Sequence, residues 1–209
     1  MYSMFQQSVL IHPGKPSSPA GRPRAFLPEH ALQSALDVFW RQGFEATSLD
    51  DLTGAMGLSR SSFYGCFGSK RAVFMAALRA YAEKHFEEIS RIASSATQPV
   101  AAVLAILTTI TSLADSDDGR RGCFFVNSVT ELAPHDPALA DYSRSHIARV
   151  LGVVSNLLIL AGFKPRDARE RAGAALALAM GTLTLRKAGM PAAPVKALLK
   201  QMHTLLALP

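Results

Sequence analysis

Cysteine is scarce in this chain, and its two cysteines lie far apart. The 209 residues contain only Cys66 and Cys123. A disulfide framework uses several cysteines, and a structural zinc site needs them in closely spaced pairs. The sequence therefore predicts neither a disulfide framework nor a metal site, and we expect no cofactor.

Long uncharged runs are also absent. Hydrophobic residues make up 49% of the chain, yet its three main uncharged stretches are short and cover residues 99–114, 150–163 and 172–185. A membrane-spanning helix needs about 18 or more apolar residues in succession. Buried helices explain these stretches better, and we expect no contact with a membrane. Several such helices together could enclose an apolar cavity.

The chain also lacks the alternation of apolar and polar residues that is typical of strands. From residue 70 to 209 the sustained patterns are helical, with breaks near residues 98–99, 115–122, 134–137, 162–165 and 189–194. The sequence therefore predicts an all-α fold, with roughly six helices in this part of the chain.

No secretory signal is apparent at the N-terminus. The apolar run at residues 9–11 is too short for one and follows no basic region. We therefore expect a cytoplasmic protein. Residues 1–24, which are rich in proline and have no helical period, are predicted to form a disordered arm.

Acidic residues are outnumbered by basic ones. The chain has 22 lysines and arginines against 16 acidic residues, which gives a formal charge of +6. This excess favours an anionic partner, although a basic surface often serves solubility alone.

The most informative segment covers residues 47–74 and reads TSLDDLTGAMGLSRSSFYGCFGSKRAVF. Its first helix places four apolar residues on one face: Leu49, Leu52, Ala55 and Met56. Thr47 or Ser48 can cap this helix, with Asp50 or Asp51 three residues further on. Gly57 is expected to end it, because glycine adopts a positive φ at little cost.

A second short helix follows this glycine turn. Ser59 is placed as its N-cap, and Phe63 and Phe67 are expected to point inward, four residues apart. The polar side chains that remain outside suit base edges and phosphate oxygens, and Ser59 at the cap is counted with them as a candidate DNA contact: Ser59, Arg60, Ser61, Ser62 and Tyr64. This arrangement predicts a helix-turn-helix whose second helix reads DNA.

The segment resembles the DNA-binding domain of the TetR family of bacterial transcriptional regulators. The resemblance covers about residues 28–81 and is carried by FWRQGF, TSLDDL, GLS and FGSK. It implies a three-helix DNA-binding domain at residues 25–70 and a six-helix effector-binding and dimerisation domain at residues 71–209. It also implies a homodimer, and phosphate contacts from Thr47 and Tyr64.

Three further basic residues are candidates for DNA contacts. Lys70 begins a new helix, where free N–H groups and the helix dipole already favour a phosphate. Arg22 and Arg24 precede the first helix, where a flexible basic arm could enter the minor groove. A solvated linker is an equally good interpretation of this pair.

A stripe of small residues marks the predicted helix at residues 166–187. Gly173, Ala177 and Gly181 lie four residues apart. Glycine within a helix costs about 1 kcal/mol relative to alanine, so we expect close approach of another helix there. In the resembling family the last two helices form the dimer interface, which here are residues 166–187 and 194–208. Packing within one subunit is the alternative.

Cys123 follows Arg120 and Arg121 and opens another predicted helix. Both the helix N-terminus and the arginines stabilise a thiolate. A Gly-Cys pair followed by Asn127 and Glu131 is similar to a subset of TetR regulators. Some of these sense electrophiles or oxidants through this cysteine, and others bind small organic acids or unrelated inducers. The candidate effector residues are therefore Cys123, Phe124, Asn127 and Glu131. A small buried apolar cysteine is the alternative, and Cys66 is interpreted in that way.

These observations predict a homodimeric repressor that leaves a palindromic operator, a double-stranded DNA site, when a small apolar or electrophilic effector binds its helical body. One alternative is an architectural protein that binds DNA without sequence preference. Another is an all-helical enzyme, based on scattered groups such as His135, Asp136, Ser143 and His146. The long body, with its three uncharged helical stretches, argues against the first, and the lack of a recognisable catalytic motif argues against the second.

Overall fold

The structure is a computed structural model that describes residues 28–112 and 121–206. These ranges contain nine α-helices and no strand. In chain order they are α1 (Pro28–Gln42), α2 (Leu49–Met56), α3 (Arg60–Phe67), α4 (Lys70–Ser95), α5 (Pro99–Thr111), α6 (Phe124–Leu132), α7 (Pro137–Leu160), α8 (Pro165–Lys187) and α9 (Ala192–Leu206). The predicted class, with three helices followed by six, is confirmed.

The chain divides into two compact units, Met1–Tyr81 and Ala82–Pro209. The division falls within α4. The sequence predicted a domain boundary after residue 70, which is the first residue of α4. That boundary stays a prediction. The predicted arm at residues 1–24 lies outside the described residues.

The first unit has an aromatic core. The Phe39 ring of α1 lies 5.1 Å from the Phe74 ring of α4 and 6.1 Å from the Phe44 ring. Trp40 meets Tyr81 edge to face at 5.3 Å. Offset and edge-to-face ring pairs stabilise a core beyond the area that they bury. The aromatic residues of α1 therefore form much of the core of this unit.

The second unit is built around α5, α7 and α8, whose buried side chains form one apolar cluster. Its members include Ala102, Val103, Ile106 and Leu107 of α5, Val150, Val154, Leu157 and Leu158 of α7, and Ala168, Ala172, Ala175, Leu176 and Ala179 of α8. The three uncharged stretches of the sequence therefore supply the core of this unit. No helix in the described part of the chain has the length and apolar character needed to cross a membrane.

Helix boundaries in the second unit follow local signals closely. Asp136 caps α7 by accepting a hydrogen bond from Leu139 N at 3.0 Å. Helix α9 begins at Ala192, two residues before the predicted start at residue 194. Pro194 fits inside its first turn, because the N–H that proline lacks would have no partner within the helix there.

Two histidines of the second unit are shielded from water. His146 is 8% exposed and His85 is half-buried. Burial lowers the pKa of both imidazoles below their usual value of 6.5. As the pH falls below about 6.5, the unfolded chain takes up these protons first, so the folded state loses stability.

We expect the free energy of unfolding to fall as the pH is lowered from about 7 to about 5, and replacement of His85 and His146 by glutamine to reduce that slope. Chemical denaturation across this pH range measures the effect. His135→Gln, at an exposed position, is the control and should leave the slope unchanged. Equal slopes in all three proteins would contradict the assignment.

Candidate nucleic-acid interface

Helix α2 begins with a complete capping box. Ser48 Oγ accepts a hydrogen bond from Asp51 N at 3.1 Å, and Asp51 Oδ2 accepts one from Ser48 N at 2.8 Å. Ser48 and Asp51 are therefore the capping pair among the candidates in the sequence. The hydrogen bonds from Ser48 lower the pKa of Asp51. Gly57 ends the helix at a φ of 66°, a conformation that glycine adopts without strain.

Helix α3 is held from behind by a buried aromatic ring. Ser59 caps it by accepting a hydrogen bond from Ser62 N at 3.1 Å. Phe63 is 0% exposed, and its ring lies 6.0 Å from that of Phe67. Phe67 is only half-buried, since it occupies the last position of the helix. The prediction that both rings point inward therefore holds fully for Phe63 and in part for Phe67.

The outer side of α3 is polar and open to solvent. Tyr64 is 54% exposed. The exposed polar side chains of this face are Ser59, Arg60, Ser61, Ser62 and Tyr64. Hydroxyl, guanidinium and phenol groups near a helix N-terminus are suitable donors for base edges and phosphates. The polar face lies opposite the buried ring of Phe63, as the sequence predicted.

Arg60 is held by a carboxylate on the preceding helix. Its Nε donates to Asp50 Oδ1 at 3.0 Å, and its Nη2 donates to Asp50 Oδ2 at 2.8 Å. Both side chains are exposed, by 66% and 70%, so solvent screens the pair and its contribution to stability is small. Two parallel hydrogen bonds nevertheless fix the direction of the guanidinium.

This pairing leaves part of the guanidinium available. Arginine has five N–H donors, and Asp50 uses the side that carries Nε. The opposite edge, formed by Nη1 and the second hydrogen of Nη2, remains suitable for the O6 and N7 acceptors of a guanine. The sequence did not reveal this role for Asp50, because the two residues are ten positions apart on different helices.

Lys70 has a structural role in addition to its predicted one. Its Nζ donates to Thr47 O at 2.6 Å and to Glu45 O at 3.4 Å, and it lies 4.5 Å from the centre of the Phe44 ring. An ammonium group has three donors. One donor is left for a phosphate, and this contact stays a prediction.

Thr47 is placed differently from expectation. It is 1% exposed, and its Oγ1 donates to Gly43 O at 2.5 Å. The hydroxyl is therefore used inside the fold, and this geometry does not support the predicted phosphate contact of the Thr47 side chain. Arg22 and Arg24, the other two candidates, lie outside the described residues.

The candidate effector residues lie at the N-cap of α6 and along this helix. Cys123 is the N-cap residue and is half-buried, Phe124 is 2% exposed, and Glu131 is half-buried. Arg120 lies outside the described residues. In the described ranges, no group of three or more potential ligands among His, Cys, Asp and Glu could hold a metal ion.

Asn127 secures the segment that leads into α6. Its Nδ2 donates to Arg121 O at 2.7 Å. Gly122 has a φ of 65°, and a Cβ at this position would lie 3.2 Å from Asn127 Oδ1. The amide therefore holds this turn. Its predicted contact with an effector stays a prediction.

The small residues of α8 face outward. Gly173 is half-buried, while Ala177 and Gly181 are exposed. A Cβ added at either glycine would meet nothing within 4 Å. These distances do not support close packing within one subunit as the reason for the stripe, and they leave room for another helix.

Taken together, two short capped helices, the glycine turn between them and the exposed polar face of the second have the geometry of a helix-turn-helix. The sequence model of bacterial regulatory proteins of the tetR family matches residues 31–77. The model of the C-terminal domain of LmrA/YxaF-like transcriptional regulators matches residues 99–201. The chain belongs to the tetR family of transcriptional regulators.

Two curated relatives are similar over part of their length. The HTH-type transcriptional repressor ComR of Escherichia coli (strain K12) is 35% identical over 136 residues, which cover 61% of this chain and 61% of ComR. The regulator YezE of Bacillus subtilis (strain 168) is 33% identical over 123 residues, which cover 58% of this chain and 63% of YezE. The chain thus spans about three fifths of each relative.

Solved structures are similar over most of the chain. A cysteine mutant of the TetR family regulator CifR, complexed with 26-bp double-strand operator DNA, is 29% identical with a TM-score of 0.73, covering 90% of this chain and 100% of that one. SCO4454, a TetR-family regulator from Streptomyces coelicolor, has a TM-score of 0.76 at 20% identity, covering 86% of this chain and 93% of that one. The second likeness concerns the fold alone.

We expect Asp50→Ala to reduce discrimination at the base pair that Arg60 contacts by about 1–3 kcal/mol, because the released guanidinium loses its fixed direction. Binding to random duplex should become tighter, since a negative charge leaves the surface. The measurement compares wild type and variant on a duplex selected from a random library and on its single-base variants.

Glu29→Ala is the matched control for this substitution. It removes the same charge from an exposed position of α1 and should preserve base discrimination. If Asp50→Ala keeps the full discrimination of the wild type, the carboxylate does not orient Arg60 for reading.

Proposed function

We propose that the protein is a homodimeric repressor that binds a palindromic operator and is released by a small-molecule effector. The observation that carries the proposal is the exposed polar face of α3, fixed by the buried ring of Phe63. A helix held in this way can enter the major groove without unfolding its support.

The relatives support this function over its alternatives. ComR is a transcriptional repressor by name, and the structure of the CifR mutant is a complex with operator DNA. The curated relatives are transcriptional regulators by name, so they favour a regulator over an enzyme. The apolar cluster of the second unit argues against the architectural alternative, because a protein that only binds DNA without sequence preference would need no such interior.

Operator binding by a palindrome reader requires two copies of α3. Successive major-groove faces on one side of the duplex are about 34 Å apart, which one eight-residue helix does not span. The exposed small residues of α8 offer a surface where a second copy could pack closely. Gly173, Ala177 and Gly181 are therefore our candidates for the dimer interface.

The effector is proposed to act on the second unit. Our candidate is Cys123, and its position at the N-cap of α6 supports the proposal because a helix N-terminus stabilises a thiolate. Membership of the subset with the Gly-Cys run stays a prediction, as does covalent sensing. Binding of an effector releases DNA only if its affinity differs between the DNA-binding form and a second form of the protein.

The protein is expected to bind a selected palindromic duplex at least about a thousandfold more tightly than random duplex. Tyr64→Phe should weaken binding to both by about 1 kcal/mol, because only a sequence-independent phosphate hydrogen bond is lost. Fluorescence anisotropy at fixed salt measures both affinities. Tyr142→Phe, in the second unit, is the control, and equal affinity of the wild type for both duplexes would favour the architectural alternative.

Ala177→Glu is expected to dissociate the dimer, because it would bury a carboxylate without a partner in the proposed interface. Sedimentation velocity measures the mass, and the affinity for the palindrome should fall towards that for a single half-site. Ala101→Glu, at an exposed position of α5, is the matched control. A dimer that persists with Ala177→Glu places the interface elsewhere.

A further inference from the structure

Two polar atoms inside the second unit are buried without a hydrogen-bond partner. They are Ser143 Oγ and His146 Nδ1. The two residues are 3% and 8% exposed and lie one turn apart on α7, so their side chains share one side of this helix. A buried polar atom without a partner costs free energy, and a bound molecule that supplies the missing hydrogen bonds recovers it.

Aromatic rings from three helices surround the imidazole. The ring of Phe125 on α6 lies 4.8 Å from that of His146. The rings of Phe86 on α4 and Tyr142 on α7 each lie 6.2 Å from it. Flat apolar surfaces around a few polar atoms are typical of sites for small aromatic ligands.

The charges near this cluster neutralise one another. Arg149 donates to both carboxylate oxygens of Glu83, each at 2.9 Å, and its guanidinium lies 3.8 Å from the centre of the Phe86 ring. Burial lowers the pKa of His146, and nearby Arg149 lowers it further. A pKa below 6.5 leaves the imidazole mainly neutral near pH 7, and among the described residues the two charged side chains named here, Glu83 and Arg149, pair with each other.

We propose that Ser143 and His146 hold the hydroxyl group of a small uncharged aromatic molecule. A hydroxyl both donates and accepts, so it can satisfy a neutral imidazole nitrogen and a serine hydroxyl at once. The regulatory role of this site rests on the proposed function, because the molecule bound there would be the effector that releases DNA. Ser143 and His146, which the enzyme alternative treated as possible catalytic groups, are ligand-binding residues in this proposal.

Access to the site requires a movement. Ser143 Oγ and His146 Nδ1 are closed to solvent, so a ligand reaches them only when a neighbouring ring turns aside. Phe125 has the closest of the three rings and belongs to the nine-residue helix α6. Occupation of the site therefore changes the packing of α6, which provides a difference between liganded and unliganded forms.

Titration calorimetry with three probes tests the chemistry of the ligand. Phenol is expected to bind about tenfold more tightly than toluene, because toluene has the ring but no hydroxyl. Benzoate is expected to bind more weakly than phenol, because its charge would be buried without a partner. Equal binding of phenol and toluene, or tighter binding of benzoate, would overturn the assignment.

Ser143→Ala and Ser128→Ala form a matched pair of variants. Ser128 is also buried, but its Oγ donates to Phe124 O at 2.8 Å. Ser143→Ala should abolish the preference for phenol over toluene and should not lower thermal stability, whereas Ser128→Ala should lower stability and keep the preference. The reverse pattern would show that Ser143 has an ordinary structural role.

Two further measurements separate the site from the proposed function. Phenol should shift the imidazole nitrogen resonances of His146 in the unmutated protein, and an unchanged spectrum at saturating phenol rejects the site. Release of the selected palindrome is measured in parallel. If phenol binds but the palindrome is not released, the site is supported and its role in regulation is contradicted. If the protein binds the palindrome but does not bind phenol, the site is contradicted and the proposed function is not.

Discussion

The burial of Phe63 fixes the rotation of α3 about its own axis. An eight-residue helix is too short to be stable alone in water, so its orientation depends on what it packs against. Phe63 is fully buried and Ser59 caps the first turn. The polar side chains of α3 therefore lie on the side of the helix opposite Phe63, where they are exposed to solvent. The direction of the candidate DNA-reading face therefore depends on an apolar contact on the opposite side of the helix.

Local signals in the sequence predicted much of this structure. The cap of α2, the glycine turn at Gly57 and the spacing of apolar residues each concern neighbours within about one helical turn. Backbone preferences and helical periodicity determine such features, so a single sequence suffices for them. The same reasoning gave the helical class and most helix boundaries, with Pro194 as an exception, because proline is tolerated within a first turn.

Contacts between side chains on different helices could not be predicted in this way. Asp50 and Arg60 meet because of the angle between α2 and α3, and Lys70 reaches Thr47 across 23 positions of sequence. The exclusion of Thr47 from the surface has the same origin, since its burial depends on how the turn folds over Gly43. The missing partners of Ser143 and His146 emerge only when every neighbouring side chain is in place.

Lys70 joins two parts of the first unit that are distant in sequence. Its ammonium group links the first residue of α4 to the carbonyls of Glu45 and Thr47, in the connection between α1 and α2. Helix α2 is in turn joined to α3 through Asp50 and Arg60. A rotation at the start of α4 would therefore pull on the backbone that leads into α2, so a change in α4 can reach the helix-turn-helix through two carbonyl contacts that span more than twenty residues of sequence.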